Sequence, residues 1–423
     1  MKIILTLMKI YLKIVYSIIK LFTKKKNQVF FISRQTNKPS LNYQMLIDYI
    51  KEKDKSIIIK VSCGRVAEGL NKLIHSNKKN ILKQLPALFK ELWGCFKYFL
   101  LLHKQMYYMA TSKVVITDGY NLIISCLKHK KNTCIIQMWH ALAAIKMFGY
   151  QSIGRADGMN PKTAKILNMH ANYDYVLSGS DAMNKPFSEA FNTDIEKVLS
   201  IGTPYIDYLL NLKVNKKELL KEYPELLKKP IILYSPTFRR NGRDAIKDVI
   251  DSVDTEKYNL VVTLHELDAA KAENNKKDGV LVNPKIDYPS LLKIADYVIT
   301  DYSALMIEAA ILKTNILLYV YDYEQYDEEN GLNINLFEEL PGYTSKDIKD
   351  LIKVIDKKSY NKKVLLNFRE KFITNLTIIT CLTLLHLLRR QRYCVLLLLV
   401  VCWLLMPQQY TTMVLSTHQV VLI

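Results

Sequence analysis

Short apolar runs alternate with helical stretches along this chain, and the alternation occurs twice. The first series is Gln28–Ser33, Ile57–Val61, Val114–Thr117, Thr133–Met138, Tyr175–Leu177 and Val198–Ile201. The second is Ile231–Ser235, Leu260–Leu264, Val280–Asn283, Val298–Thr300 and Ile316–Tyr319. Each run is rich in β-branched residues and bounded by turn or helix signals, which predicts a strand. Strands that are apolar throughout bury both faces, as the strands of a parallel sheet under helices do. The predicted class is α/β with doubly wound parallel sheets. A chain of 423 residues is too long for one ordinary core and fits two such domains. The lysine-rich stretch 211–229, closed by Pro230, is the predicted link between them. The expected domains are 27–210 and 228–370, preceded by a helix over 1–26 and followed by a tail over 371–423.

The formal charge of +20 is unevenly placed. Residues 1–47 hold eight Lys, one Arg and no acid, and residues 371–423 hold four basic residues and no acid. Setting these nine and four charges aside leaves +7 on 48–370. Such a chain suits anionic lipid or a phosphate-rich substrate. No zinc-finger spacing, RNP-like run or zipper-linked basic helix points to nucleic acid. On a helix, Lys2, Lys9, Lys13 and Lys20 fall within ~40° of one another, and apolar residues fill the other faces. This pattern predicts a basic amphipathic helix lying on an anionic membrane surface, lysines among the headgroups. The alternative is a helix docked on its own domain. From about Asn375 the chain turns leucine-dense and acid-free, either a membrane-seeking tail or an out-of-frame end. The seven cysteines form no CxxC pair, and no metal or cofactor is expected.

The chemistry gathers at strand ends, where parallel sheets present their ligand crevice. His140 ends one run and His265 another, and imidazole moves protons near neutral pH. Small residues, Ala141 to Ala144, and then Lys146 follow His140. Ser235, Thr237 and Arg239 follow the strand Ile231–Tyr234; the hydroxyls can donate, and a guanidinium can grip phosphate with two N–H groups. Asp301 and Ser303 stand between a strand and a helix, where free backbone N–H groups attract phosphate. Glu308, five residues beyond Ser303, can accept from ribose hydroxyls. The structural alternatives are N-capping for Asp301 and Ser303, a solvated strand exit for Arg239 and an ordinary helix position for Glu308. Ala110–Tyr120 echoes Ile294–Ser303, in keeping with two Rossmann-like halves facing across a cleft. GxGxxG, Walker, HExxH and GxSxG motifs are missing where they would function, which argues against dehydrogenase, nucleotide hydrolase, zinc protease and α/β-hydrolase chemistry.

Taken in order, these pieces resemble the CDP-glycerol glycerophosphotransferase family, which builds teichoic acids and related capsular polymers. The resemblance is carried by Gln137-Met138-Trp139-His140, Gly202-Thr203-Pro204 with Asp207, Ser235-Pro236-Thr237-Phe238-Arg239, the strand ending in His265, and Ile299-Thr300-Asp301-Tyr302-Ser303 with Glu308. Leu317 to Tyr326 resembles the family's closing segment, and the likeness covers about 105–330. It implies a GT-B fold, membrane-surface association and a CDP-polyol donor, with CDP-glycerol or CDP-ribitol fitting the class. It implies a lipid-linked saccharide or polyol-phosphate acceptor at the cytoplasmic face of the membrane. By the same resemblance His140 is the general base, His265 a second essential imidazole, and Arg239, Asp301, Ser303 and Glu308 donor-binding residues. The chain departs from the family's His-Gly-Thr-Pro at His140-Ala141-Leu142-Ala143, from Lys-x-His-Pro at Thr263-Leu264-His265-Glu266, and from Asp-Tyr-Ser-Ser at Ala304. These departures leave the polyol and the acceptor open. A GT-B glycosyltransferase using a nucleotide sugar and an inactive truncated homologue are the competing readings.

Overall fold

The computed structural model describes residues 2–64, 81–156, 158–237, 239, 244–264 and 277–374. His265 and the tail from 375 onward lie outside the described residues.

Among the described residues, twelve strands form two six-stranded sheets, and every strand pair is parallel. In the first sheet, β1 (Gln28–Ser33), β2 (Ile58–Cys63), β3 (Val114–Thr117), β4 (Cys134–Gln137), β5 (Tyr175–Leu177) and β6 (Val198–Leu199) stand in the order β2-β1-β3-β4-β5-β6. In the second, β7 (Ile231–Tyr234), β8 (Asn259–Val262), β9 (Val280–Val282), β10 (Tyr297–Thr300), β11 (Asn315–Tyr319) and β12 (Thr344–Ser345) stand in the order β12-β11-β10-β7-β8-β9. All eleven sequence-predicted strands form, with ends shifted by a residue or two. Strand β12 was not foreseen, because two residues carry no periodicity.

The order of each sheet reverses once, between β1 and β3 and between β10 and β7. Chains leaving such a pair diverge to opposite faces, which opens a crevice at their carboxyl ends. Alternation along β1 fixes its orientation. Phe30 and Ile32 enter a core shared with helices of both domains, while Val29 and Phe31 face Tyr43, Leu46 and Ile50 on the other side.

The helices that frame the sites are α1 (Lys2–Leu21), α2 (Leu41–Lys53), α3 (Ile81–Thr111), α4 (Leu122–Cys126), α5 (Pro161–Ile166), α6 (Asn184–Phe191), α7 (Pro204–Asn211), α8 (Leu305–Leu312) and α9 (Lys362–Phe372). Gly202 supplies the left-handed turn, φ 75°, that lets Pro204 open α7. Helix α7 belongs to the first domain and packs on α8 of the second. Helix α9 ends the described chain back at the first domain, where the Thr374 N–H donates to the Gly179 carbonyl at 3.1 Å.

Helix α1 forms as expected but is turned differently. Its buried residues are Leu12 and Tyr16. Lys9 donates to the Ile166 carbonyl at 2.5 Å and to Asn168 Oδ1 at 3.0 Å, and Lys20 donates to the Lys128 carbonyl at 2.7 Å. Lysines at these positions therefore meet the protein. The outward face is apolar: Ile3, Ile4, Leu7, Ile14 and Leu21 are all exposed, Leu21 at 81%. The physical reason is local, because unpaired carbonyls after α4 and at the end of α5 offer better partners to an ammonium than a purely apolar contact does. The apolar surface continues onto α3, where Tyr11 stacks on Phe99 at 5.7 Å and Trp93, Phe96 and Leu100 are exposed. Among the described residues no helix is long and apolar enough to cross a membrane.

Candidate active site

His140 stands just beyond β4, one strand from the first sheet's reversal. Its Nδ1 donates to the Asp118 carbonyl at 3.1 Å, which places the ring proton on Nδ1 and the lone pair on Nε2. A longer contact, 3.4 Å from Gln35 Nε2, approaches the same nitrogen. The Asp118 loop is braced from below, since Gln137 Nε2 and Thr117 Oγ1 both donate to the Gly119 carbonyl. A Cβ at Gly119 would lie 2.9 Å from the Gln35 amide and push that flexible side chain aside. The His140 ring is open to solvent on one side, with Trp139 at 4.1 Å between centroids. Surrounding protein lowers its pKa, and the bond to Asp118 opposes part of that shift. The ring is therefore neutral at physiological pH, as a base must be. Burial also pushes the Asp118 carboxyl up to about 6, with Ser33 pulling the other way.

The second reversal point holds a denser network. The Asp301 carboxylate accepts from the Thr237 N–H at 3.0 Å, from Thr237 Oγ1 at 2.6 Å and from Arg239 Nη2 at 3.1 Å. Arg239 Nε also donates to Asp322 at 3.0 Å, and Tyr302 OH donates to the same carboxylate at 2.9 Å. The guanidinium lies over the rings of Tyr302 and Tyr326, which stack 3.8 Å apart. Burial works against the Arg239 charge, but Asp301 and Asp322 more than offset it, so its pKa stands above the ordinary value. Thr237, Arg239 and Asp301 are thus brought together, and Arg239 is gripped by two carboxylates instead of lying loose in solvent. Ser235 continues the β7 ladder, its N–H donating to the Ile299 carbonyl and its own carbonyl accepting from Thr300 Oγ1. Ser303 Oγ accepts from the Leu305 N–H at 3.3 Å at the start of α8, while Asp301 does not cap that helix.

Glu308 lies on α8 facing the first domain. Its Oε2 accepts from Tyr205 OH on α7 at 2.9 Å. Burial raises the Glu308 pKa to about 7, and the Tyr205 bond partly counters it. Nearby on α7, burial lifts Asp207 to about 7 as well, and neither of its oxygens has a hydrogen-bond partner among the described residues.

The two reversal points are tied together by the segment after His140. Lys146 Nζ donates to Thr237 Oγ1 at 3.4 Å. Asn333 Nδ2 donates to the Ala144 and Lys146 carbonyls, the Met147 N–H donates to the Gly331 carbonyl, and Arg155 reaches the Asp327 and Glu328 carbonyls. The loop that carries His140 is thereby fixed against the domain that carries Asp301. Sequence reasoning missed Asp322, Tyr205 and Asp118 as site residues. Asp322 had a signal, since it lies within the closing segment already noted for its resemblance. Among the described residues, no three His, Cys, Asp or Glu side chains gather as a metal site would require.

Two parallel α/β domains, with an imidazole one strand from one reversal point and a buried guanidinium–carboxylate–hydroxyl cluster at the other, define a GT-B-like transferase. The profile of the CDP-Glycerol:Poly(glycerophosphate) glycerophosphotransferase family matches residues 14–375, and the chain belongs to that family. It is 31% identical to the teichoic acid glycerol-phosphate primase of Bacillus subtilis strain 168, over 75% of this chain and 84% of that one. It is 28% identical to the teichoic acid ribitol-phosphate primase of Bacillus spizizenii strain W23, over 72% of this chain and 82% of that one. Its fold is similar to that of the wall teichoic acid polymerase TagF, with a TM-score of 0.63, 18% identity, and coverage of 92% of this chain and 97% of the other.

The two raised carboxyls dictate a pH dependence. The folded chain keeps the Glu308 proton up to about pH 7, whereas an unfolded glutamate releases it near 4.5. Between those values the native state binds more protons, so the free energy of unfolding falls as pH rises and levels off above pH 7. One such group contributes a slope of about 1.4 kcal/mol per pH unit. Denaturant titrations of Glu308→Gln across this range are expected to show a shallower decline than the parent, with Asp207 supplying the remainder. An unchanged slope would place the Glu308 proton elsewhere.

Proposed function

We propose that this enzyme transfers a polyol phosphate from a CDP-polyol to a hydroxyl of a lipid-linked acceptor, releasing CMP, in teichoic acid or related capsular polymer synthesis. The observation that carries the reading is His140, whose Nδ1 is committed to Asp118 and whose Nε2 remains a base, on a loop clamped to the Thr237–Asp301 cluster. The acceptor oxygen attacks the β-phosphorus, a P–O bond to the acceptor forms, and the bond to the bridging oxygen of CMP breaks. His140 Nε2 receives the hydroxyl proton. On the donor side, Ser303 and the first N–H groups of α8 meet the diphosphate, with Arg239, held by Asp301 and Asp322, and with Ser235 and Thr237 lining the same crevice. Glu308 takes the ribose hydroxyls after Tyr205 lets go. His265 is assigned the charge on the transferring phosphoryl group by family resemblance. Residues 27–210 then form the acceptor side and 228–370 the CDP-polyol side. Positioning and charge neutralisation supply most of the rate in such transfers.

Glycerol phosphate is the expected cargo from the family description and from the glycerol-phosphate primase relative. The ribitol-phosphate primase relative keeps CDP-ribitol as the second reading. In a steady-state assay with CDP-glycerol and membrane acceptor, His140→Ala is expected to lower turnover by roughly 10²-fold or more, with donor affinity and thermal stability little changed. Near-parental turnover in a folded variant would remove His140 from the mechanism.

The acceptor is lipid-linked in this reading, so the enzyme works as a peripheral protein on the cytoplasmic face of the membrane. The surface that suits it is the apolar face of α1 continued by Trp93, Phe96 and Leu100, with Lys2 and Lys24 at the ends of the helix reaching anionic headgroups. Each large apolar side chain inserted contributes about 1.5–3 kcal/mol. Changing Leu7, Ile14 and Trp93 together to Ser is expected to abolish co-flotation with anionic vesicles. Raising the salt should weaken the parent's binding only partly, because screening leaves the apolar share intact. Undiminished flotation of the triple variant would move the membrane contact off this face.

A further inference from the structure

A cavity of about 700 Å³ lies in the first domain, away from the cleft. Its wall includes Thr133 and Ile135, where the chain enters β4, and Asp174, just before β5. His140 stands where the chain leaves β4, so roughly 13 Å of strand separates the two places. An aromatic partition also stands between them. His170 lines the cavity, packs on Phe191 at 4.9 Å, and Phe191 packs on Trp139 at 5.4 Å. A CDP-polyol bound for reaction at His140 does not occupy this space.

The lining is polar and its charge is nearly balanced. Lys13, Lys128 and Lys197 face Asp174 and Asp194. Asp194 pairs with Lys197 at 3.2 Å, and Asp174 accepts from the Ile135 N–H at 2.7 Å. Burial holds the two lining imidazoles, His129 and His170, at pKa values of about 4 and about 3, so they add no charge. The formal balance is one positive charge, which matches a monoanion better than a dianion. Around it stand hydroxyl and carboxamide groups, and Thr133 Oγ1 is buried with no hydrogen-bond partner among the described residues. The backbone is also unusual here. Asn168, His170, Asn172 and Asn192, all on the lining, have φ of 46°, 57°, 72° and 48°. Asn172 is explained by its side chain, which donates to the Ile124, Ser125 and Leu127 carbonyls. His170, at φ 57°, is held by a local bond between its Nδ1 and Tyr173 OH at 3.0 Å.

We propose that this cavity is a second ligand site that binds a polyol phosphodiester, a singly charged phosphate flanked by hydroxyl-bearing carbons. The identity of the ligand rests on the polyol-phosphate transfer proposed above; the existence of the site does not. The same chemistry occurs in two sources, the polymer already made and the headgroup of a glycerol-type anionic phospholipid. Both are within reach, because Lys13 of α1 lines the cavity while the opposite face of α1 is the apolar surface.

The test uses the full chain and glycerophosphoglycerol as soluble probe, with binding read by calorimetry. Lys128 is exposed, so Lys128→Glu leaves packing intact, and Thr133→Val preserves shape while removing the hydroxyl. Glycerophosphoglycerol affinity is expected to fall tenfold or more in Lys128→Glu and severalfold in Thr133→Val. Affinity for CDP-glycerol should stay within twofold of the parent in both. Absence of probe binding to the parent, or equal binding by parent and both variants, overturns the site. Two further measurements on Lys128→Glu identify the source. Weaker flotation with phosphatidylglycerol vesicles marks the lipid headgroup, and shorter products with unaltered flotation mark the polymer; an effect on neither overturns a role for the site in this enzyme. CMP release by the parent is followed separately, so loss of the transferase reading is seen independently of loss of the site.

Discussion

The carboxylate of Asp301 is the point on which the crevice of the second sheet depends. It is nearly inaccessible to solvent, yet it holds the Thr237 backbone, the Thr237 hydroxyl and the Arg239 guanidinium at once. A buried carboxylate is tolerable only when paired and fully hydrogen-bonded, and removing one partner of such a pair typically costs about 3–5 kcal/mol. Asp322 completes the arrangement by gripping the other side of Arg239, so the exits of β7, β10 and β11 are locked in one geometry. Everything that touches this cluster inherits its position, including Lys146 from the other domain and, through Lys146, the loop that carries His140.

The sequence made the sheets legible because their strands are buried on both faces and so read as unbroken apolar runs. The meeting of Thr237 and Asp301 was legible for a related reason: polar residues directly after such runs gather at the crevice. Partner choice was not legible. Tyr205 and Glu308 are 103 residues apart, and nothing local to either reports the other. The role of Asp322 depends on Arg239 83 residues earlier, although its segment already carried the family likeness. Helix α1 illustrates the same limit. A helical wheel identified which lysines share a face, but not that Lys9 and Lys20 would find carbonyls on their own protein and leave the apolar face outward.

Besides the packing of α7 on α8 and the return of α9, two sets of hydrogen bonds join the domains. The segment after His140 is fastened to 327–333 by several backbone bonds, which makes it a rigid bridge. The Tyr205–Glu308 bond is a single side-chain contact between α7 and α8.

In the proposed reaction the bond broken lies between the β-phosphorus and the bridging oxygen of the donor. CDP-glycerol labelled with ³²P at the β-position, incubated with the purified chain and a lipid-linked acceptor, tests this directly. Phosphoryl transfer puts the label in the lipid-linked product and leaves the released CMP unlabelled. Recovery of labelled CDP, with the organic group alone moved to the acceptor, would mean glycosyltransferase-like cleavage and would contradict the assignment of His140 and the Asp301 cluster to polyol-phosphate transfer.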